Sequence, residues 1–135
     1  MTAKEYLLRY HTAYREAKDT EVRMAQIRLK YSAPAAIEYS DMPKAHSSEH
    51  DLSDYIVKMD ELTDRLISKY TRCMAIEADI LERLDRMEKQ EEREVLRMRY
   101  IDGKKWEEIA DRIGTVTRNI YFIHGRALRN FPLPD

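Results

Sequence analysis

The sequence predicts an all-α fold: a long, coiled-coil-like N-terminal helical hairpin followed by a small helix-turn-helix module. Three observations predict it. The 135 residues include only 3 glycines and 4 prolines, so little punctuates the chain. Charged residues make up 36% of it, largely Glu, Lys and Arg mixed with Leu, Met and Ala, a composition that favours helix. Apolar residues also recur at alternating spacings of three and four, the period of a single helix face.

The first helix is expected to open at Thr2. Thr2 and Glu5 have capping-box spacing, in which hydroxyl and carboxylate each satisfy an open backbone N–H. Ala3, Leu7, Tyr10, Tyr14 and Ala17, then Met24, Ile27 and Tyr31 beyond a polar break at Thr20 and Glu21, draw one apolar face over about 30 residues. The two alanines would let a partner helix approach closely. Residues 32–48 read as a linker, because Pro34 and Pro43 each remove a donor and disfavour helix in the residue before them. Its Ile37, Tyr39 and Met42 are apolar enough to dock on a neighbour. His46 and His50 have the spacing of two metal ligands on a helix, but no third ligand lies nearby, so neither a metal nor a cofactor is expected.

The second helix is expected from Asp51 to Met87, with Ser48 or Asp51 as its cap. Leu52, Ile56, Met59, Leu62, Leu66, Tyr70, Cys73, Ile76, Ile80, Leu84 and Met87 form a nearly unbroken seam. At 1.5 Å per residue such a helix is roughly 55 Å long. It is longer than the first helix, so part of its seam needs cover from the C-terminal module or from a second subunit. A homodimer or larger assembly is expected. Residues 1–90 are thus assigned to a scaffold and oligomerisation region, and residues 91–135 to a DNA-binding module.

Glu88 to Glu94 is very polar but lacks proline and glycine, so the helix continues or bends there. Val95, Leu96, Met98, Tyr100 and Ile101 mark the module's first helix, ended by Asp102-Gly103. Trp106, Ile109, Ala110 and Ile113 give the next helix its buried face, and Gly114 turns the chain. Ile120, Ile123 and Ala127, with Phe131 close by, form the inner stripe of the last helix; Pro132 and Pro134 follow. A small residue at the helix crossing, a glycine turn and spaced aliphatics are the pattern of a helix-turn-helix, whose second helix enters a DNA major groove.

Charge distribution agrees with an anionic partner. Residues 1–90 hold 15 Lys/Arg and 17 Asp/Glu, whereas Arg112 to Phe131 contains Arg112, Arg118, Arg126, Arg129 and His124 and no acid. With the aliphatic stripe inward, about 100° per residue places Arg118, Phe122, Gly125 and Arg129 on the outer face, with Tyr121 beside them. Arg118 is the leading base reader, since arginine can bond guanine through two parallel hydrogen bonds. Thr117 stands at the helix start, and Asn119 points sideways toward a base or a phosphate. Tyr121 and Phe122 either contact a thymine methyl or sugar edge, or pack on protein. Gly125 allows close backbone approach. Lys104, Lys105, Arg112, Arg126 and Arg129 suit phosphates, which set affinity and salt dependence rather than sequence choice.

Other function classes find little support. Cys73 is the single cysteine, which excludes an intrachain disulfide and a cysteine-cluster metal site. No apolar run has membrane-spanning length and no signal peptide is seen, so a cytoplasmic location is expected. There is no glycine-rich phosphate loop, nucleophile elbow or ligand cluster, and Glu107-Glu108 are ordinary first-turn acids. The chain is not expected to be an enzyme.

The residues EREVLRMRYIDGKKWEEIADRIG…TRNIYFIHGRALRNF resemble the fourth conserved region of sigma-70-type factors, which reads the promoter −35 element. REVLRMRY, WEEIADRIG and IHGRALRNF carry most of that resemblance. With the long N-terminal helices and a proline-containing linker, the arrangement resembles small phage-encoded regulators of the ArpU and RinA kind. The resemblance implies sequence-specific duplex binding in phage or prophage transcription, with RNA polymerase as a further partner and a bacterial host cell as the setting. Departures stand at Val116 and Lys105, where the sigma pattern has Ser or Thr at the helix starts; Thr115 or Thr117 would then cap the last helix. The sigma base-reading positions correspond to Thr117, Arg118, Tyr121 and Phe122, of which Arg118 alone is strongly polar, so −35 recognition is not implied. Two alternatives are a phage DNA-packaging protein like a small terminase subunit, and a helical interaction module that contacts RNA polymerase without reading DNA.

Overall fold

The computed structural model describes residues 1–32 and 48–135. These form α1 (Ala3–Ser32), α2 (Ser48–Asp85), α3 (Gln90–Leu96), a π-helical turn (Arg97–Ile101), α4 (Trp106–Ile113) and α5 (Thr117–Asn130), with no strand among them. The fold is all-α, as expected. Apart from its end residues Ser32 and Ser48, the expected linker lies outside the described residues, as do His46 and the side chain of His50.

The expected capping box opens α1. The Thr2 N–H donates to Glu5 Oε2 at 3.1 Å and the Glu5 N–H donates to Thr2 Oγ1 at 3.2 Å. At the other boundary α2 ends: its last turn tightens, with the Arg86 N–H on the Arg83 carbonyl at 3.2 Å and the Met87 N–H on the Leu84 carbonyl at 3.0 Å. The chain turns through residues 86–89 and restarts as α3.

The chain divides into two compact units. One joins Met1–Ala13 to Arg72–Asp135, and the other is Tyr14–Thr71. The division falls inside α1 and α2. In the first unit, Ala3, Tyr6, Leu7 and Ala13 of α1 pack with Cys73, Ile76, Ile80, Leu84 and Met87 of α2 and with Leu96, Tyr100, Ala127 and Phe131. Fully burying each large aliphatic here contributes about 1.5–3 kcal/mol. Polar links reinforce this core. The Tyr6 hydroxyl donates to Asp79, Arg83 Nε donates to both Asp79 carboxylate oxygens at 3.2 Å, and Arg83 Nη1 donates to the Pro132 carbonyl at 2.9 Å. Burial pushes the Cys73 thiol up, which fits a core residue rather than a reactive one.

A second cluster in the same unit joins Val95, Met98, Ile109, Ala110, Ile120 and Ile123, with Trp106 and Ile113 against it. The π turn serves both clusters. The Asp102 N–H reaches back to the Arg97 carbonyl at 3.0 Å, and the Lys104 N–H reaches Met98 at 2.9 Å. In this wider turn Tyr100 joins the first cluster and Met98 the second.

The Tyr14–Thr71 unit is differently held. The polar break expected at Thr20 is a buried crosslink: the Thr20 hydroxyl donates to the Glu16 carbonyl at 3.2 Å and accepts Lys69 Nζ at 2.9 Å. The Tyr70 hydroxyl donates to Glu21 at 3.1 Å, and the Tyr31 and Tyr55 rings lie 4.8 Å apart. The expected seams are corrected here. Tyr14 is 38% exposed while Ala17 and Thr20 are buried, because small side chains sit where the helices approach closely. Leu52 and Ile56, expected in the α2 seam, are 57% and 50% exposed.

Candidate nucleic-acid interface

The helix-turn-helix frame is built by α4 and α5. Gly114 adopts φ 83°, the left-handed conformation that other residues resist, and ends α4. The N–H groups of Gly114 and Thr115 both bond the Ala110 carbonyl, at 2.9 and 3.0 Å. Ala110 is buried at this turn, as its size suggests. Ile120, Ile123 and Ala127 are buried along α5, so the opposite face of that helix is fixed toward the surface.

Most sequence-selected residues are exposed. Arg118, Tyr121, Phe122, Arg126 and Arg129 are exposed on α5, Arg112 is exposed at the end of α4, and Lys105 is exposed before it. Thr117 and Gly125 are half-buried. Around Gly125 a methyl group would meet nothing within 4 Å, so space is open at this point of the helix. Lys104 is half-buried, and its carbonyl accepts Arg99 Nη1 at 3.0 Å.

The two outward aromatics differ. Tyr121 is 51% exposed and meets Trp106 edge-on, ring centroids 5.3 Å apart, so α4 positions it. Phe122 is 62% exposed. Neither expected threonine caps α5. Val116 occupies the cap position without a side-chain cap, and Thr115 Oγ1 accepts Asn119 Nδ2 at 3.0 Å. Asn119 is exposed but tied to that threonine. Lys105 likewise precedes α4 without capping it. The first backbone N–H groups of α5 thus receive no side-chain cap at its N-terminus, where an anion is favoured.

Behind the outer face Tyr100 and Trp106, expected as apolar core, and His124, expected in the basic end, meet Arg99 in one polar and aromatic group. The Tyr100 hydroxyl and His124 Nε2 lie 2.8 Å apart, His124 meets Trp106 edge-on at 4.7 Å, and the Arg99 guanidinium sits 4.3 Å over the Trp106 ring. Burial, then the charges of Lys4 and Arg99, hold His124 below its ordinary pKa. His124 therefore braces α5 as a neutral ring and adds no charge near neutral pH. A three-residue offset from α5 aliphatics marks it as inward-leaning, but only the fold brings Tyr100 and Trp106 to it.

Among the described residues, no three His, Cys, Asp or Glu side chains gather in a metal-binding group. No described helix is long and apolar enough to cross a membrane. Comparison with protein-family models, characterised proteins and solved structures finds no match to this chain.

Proposed function

We propose that this chain is a sequence-specific duplex-DNA-binding protein of the phage or prophage transcriptional-regulator type, laying α5 in a major groove. One observation carries this reading. The exposed face of α5 presents Arg118, Arg126 and Arg129 with no acid on the helix, over an inner stripe locked to α4. Arg118, near the helix start, reads bases; Lys105, Arg112, Arg126 and Arg129 meet phosphates. The function is binding rather than catalysis. A second copy covering the exposed Leu52, Ile56 and Ile67 of α2 would pair two such modules, as palindromic sites require.

Selection from randomised duplex DNA tests the reading, followed by salt titration on the selected site. Three to five phosphate contacts predict a log–log slope of about −3 to −4.5. Arg118→Ala should flatten the selected sequence more than it lowers affinity, and Arg129→Ala should do the reverse. No duplex binding at low salt would overturn the proposal.

The exposure of Phe122, Tyr121 and Val116 favours a second reading, in which the same face docks on a protein such as RNA polymerase. In that case Phe122→Ser abolishes the protein complex and leaves duplex binding unchanged. A DNA-packaging role would instead show itself as a discrete ring-sized assembly in light scattering.

A further inference from the structure

The same compact unit carries a cleft of about 350 Å³ lined by Lys4, Leu8 and His11 of α1, Arg99 and Tyr100 of the π turn, Gly103 and Trp106. None of these lining residues is acidic, and two are aromatic. We propose that this cleft takes a backbone phosphate of the bound duplex, with Lys4 and Arg99 as its cationic partners, so that the start of α1 belongs to the DNA footprint. The inference rests on the duplex-binding reading above and extends it beyond the helix-turn-helix.

Four features converge. Arg99 is already immobilised, stacked 4.3 Å over Trp106 and bonded through Nη1 to the Lys104 carbonyl at 3.0 Å. A pre-ordered guanidinium loses little further freedom on meeting a phosphate. Gly103, at φ 69°, leaves open space where a side chain would otherwise stand. Burial first, then the positive charges of Lys4 and Arg99, hold the half-buried His124 ring below its ordinary pKa, so both cations lie near enough to this corner to act on it. Finally, the cleft shares a wall with the outer face of α5: Trp106 lines the cleft and also meets Tyr121 across 5.3 Å. A strand leaving the α5 face is therefore led past Trp106 toward Lys4 and Arg99.

The test uses the full chain and two substitutions at exposed positions. Lys4→Gln removes one charge, and Leu8→Glu places an acid in the cleft. Both are checked for unchanged helical circular dichroism. For Lys4→Gln, duplex affinity at 0.1 M salt should fall about fivefold on selected and random sequences alike, and the salt slope should lose about 0.9. Leu8→Glu should weaken binding further, again without changing the preferred sequence. Wild-type affinity and slope in both variants, with the wild-type chain binding duplex normally, would overturn this inference and leave the α5 reading standing. Failure of the wild-type chain to bind duplex would overturn both. Inorganic phosphate supplies the remaining arm, read through Trp106, the one tryptophan in the chain. A saturable change in Trp106 emission with phosphate, combined with unaltered duplex binding by Lys4→Gln, would make the cleft a free-anion site and overturn its assignment to duplex.

Discussion

The two compact units differ in how they are held. The unit containing the C-terminal module has two clusters of buried apolar side chains, with Leu7, Ile80, Leu96, Ile109, Ile120 and Val95 fully enclosed. In the Tyr14–Thr71 unit, Leu62 is the one large apolar side chain buried among the described residues, beside Ala17 and Thr20. There the helices are joined by Lys69 to Thr20, Tyr70 to Glu21 and the Tyr31–Tyr55 contact. A few polar links, part-buried at Thr20 and exposed at Glu21, hold less than two apolar clusters, so the first unit is the one held by its own packing. The second leaves Leu52, Ile56 and Ile67 exposed on α2.

The largest expected effect tests that contrast directly. Ile109→Ala or Ile80→Ala should destabilise the chain by about 2–5 kcal/mol in urea titration, while Ile67→Ala should change the stability of an isolated chain by less than about 0.5 kcal/mol. A concentration-dependent loss in Ile67→Ala would instead place that residue in an assembly interface. Gly114→Ala should cost about 1–2 kcal/mol, because alanine in the left-handed region is strained. The same substitution at Gly125, which sits within α5 and has open space, should stabilise by about 0.5–1 kcal/mol. If the groove approaches Gly125 closely, that variant gains stability but loses duplex affinity.

Acidification should also separate the units. His124 titrates below its ordinary value of 6.5 in the folded chain, so the unfolded chain binds its proton first. Its contribution to stability is present above about pH 6.5 and is lost as pH falls through the folded value. The melting temperature should therefore drop between pH 7.5 and 5.5, and His124→Gln should flatten that slope. A small effect is also expected at Thr20→Val, within about 1 kcal/mol, since it removes the partner of a lysine that can reach water.

Much of the C-terminal module was legible in the residues. Gly103 and Gly114 mark the positive-φ turns, and Ile120, Ile123 and Ala127 define the inner face because helical period alone orders them. The capping box at Thr2 and Glu5 is equally local. Glu92 shows where such reading stops. It lies in the acidic run EKQEERE, yet it is 2% exposed and both its oxygens accept Asn130 Nδ2, at 3.0 and 3.2 Å. A polar run has no period that distinguishes a paired buried acid from a solvated one. No local pattern joins Lys4 to Arg99 either: they stand nearly a hundred residues apart and share the cleft only after α1 folds against the module.

The sequence by itself determined the helices, their turns and the inner and outer faces of α5, because these follow from backbone preferences and short-range periodicity. The tertiary structure decided which helix segments share a core, placing Met1–Ala13 with the C-terminal module, and which charges meet across it. Those outcomes depend on packing between distant segments, which a one-dimensional pattern does not encode.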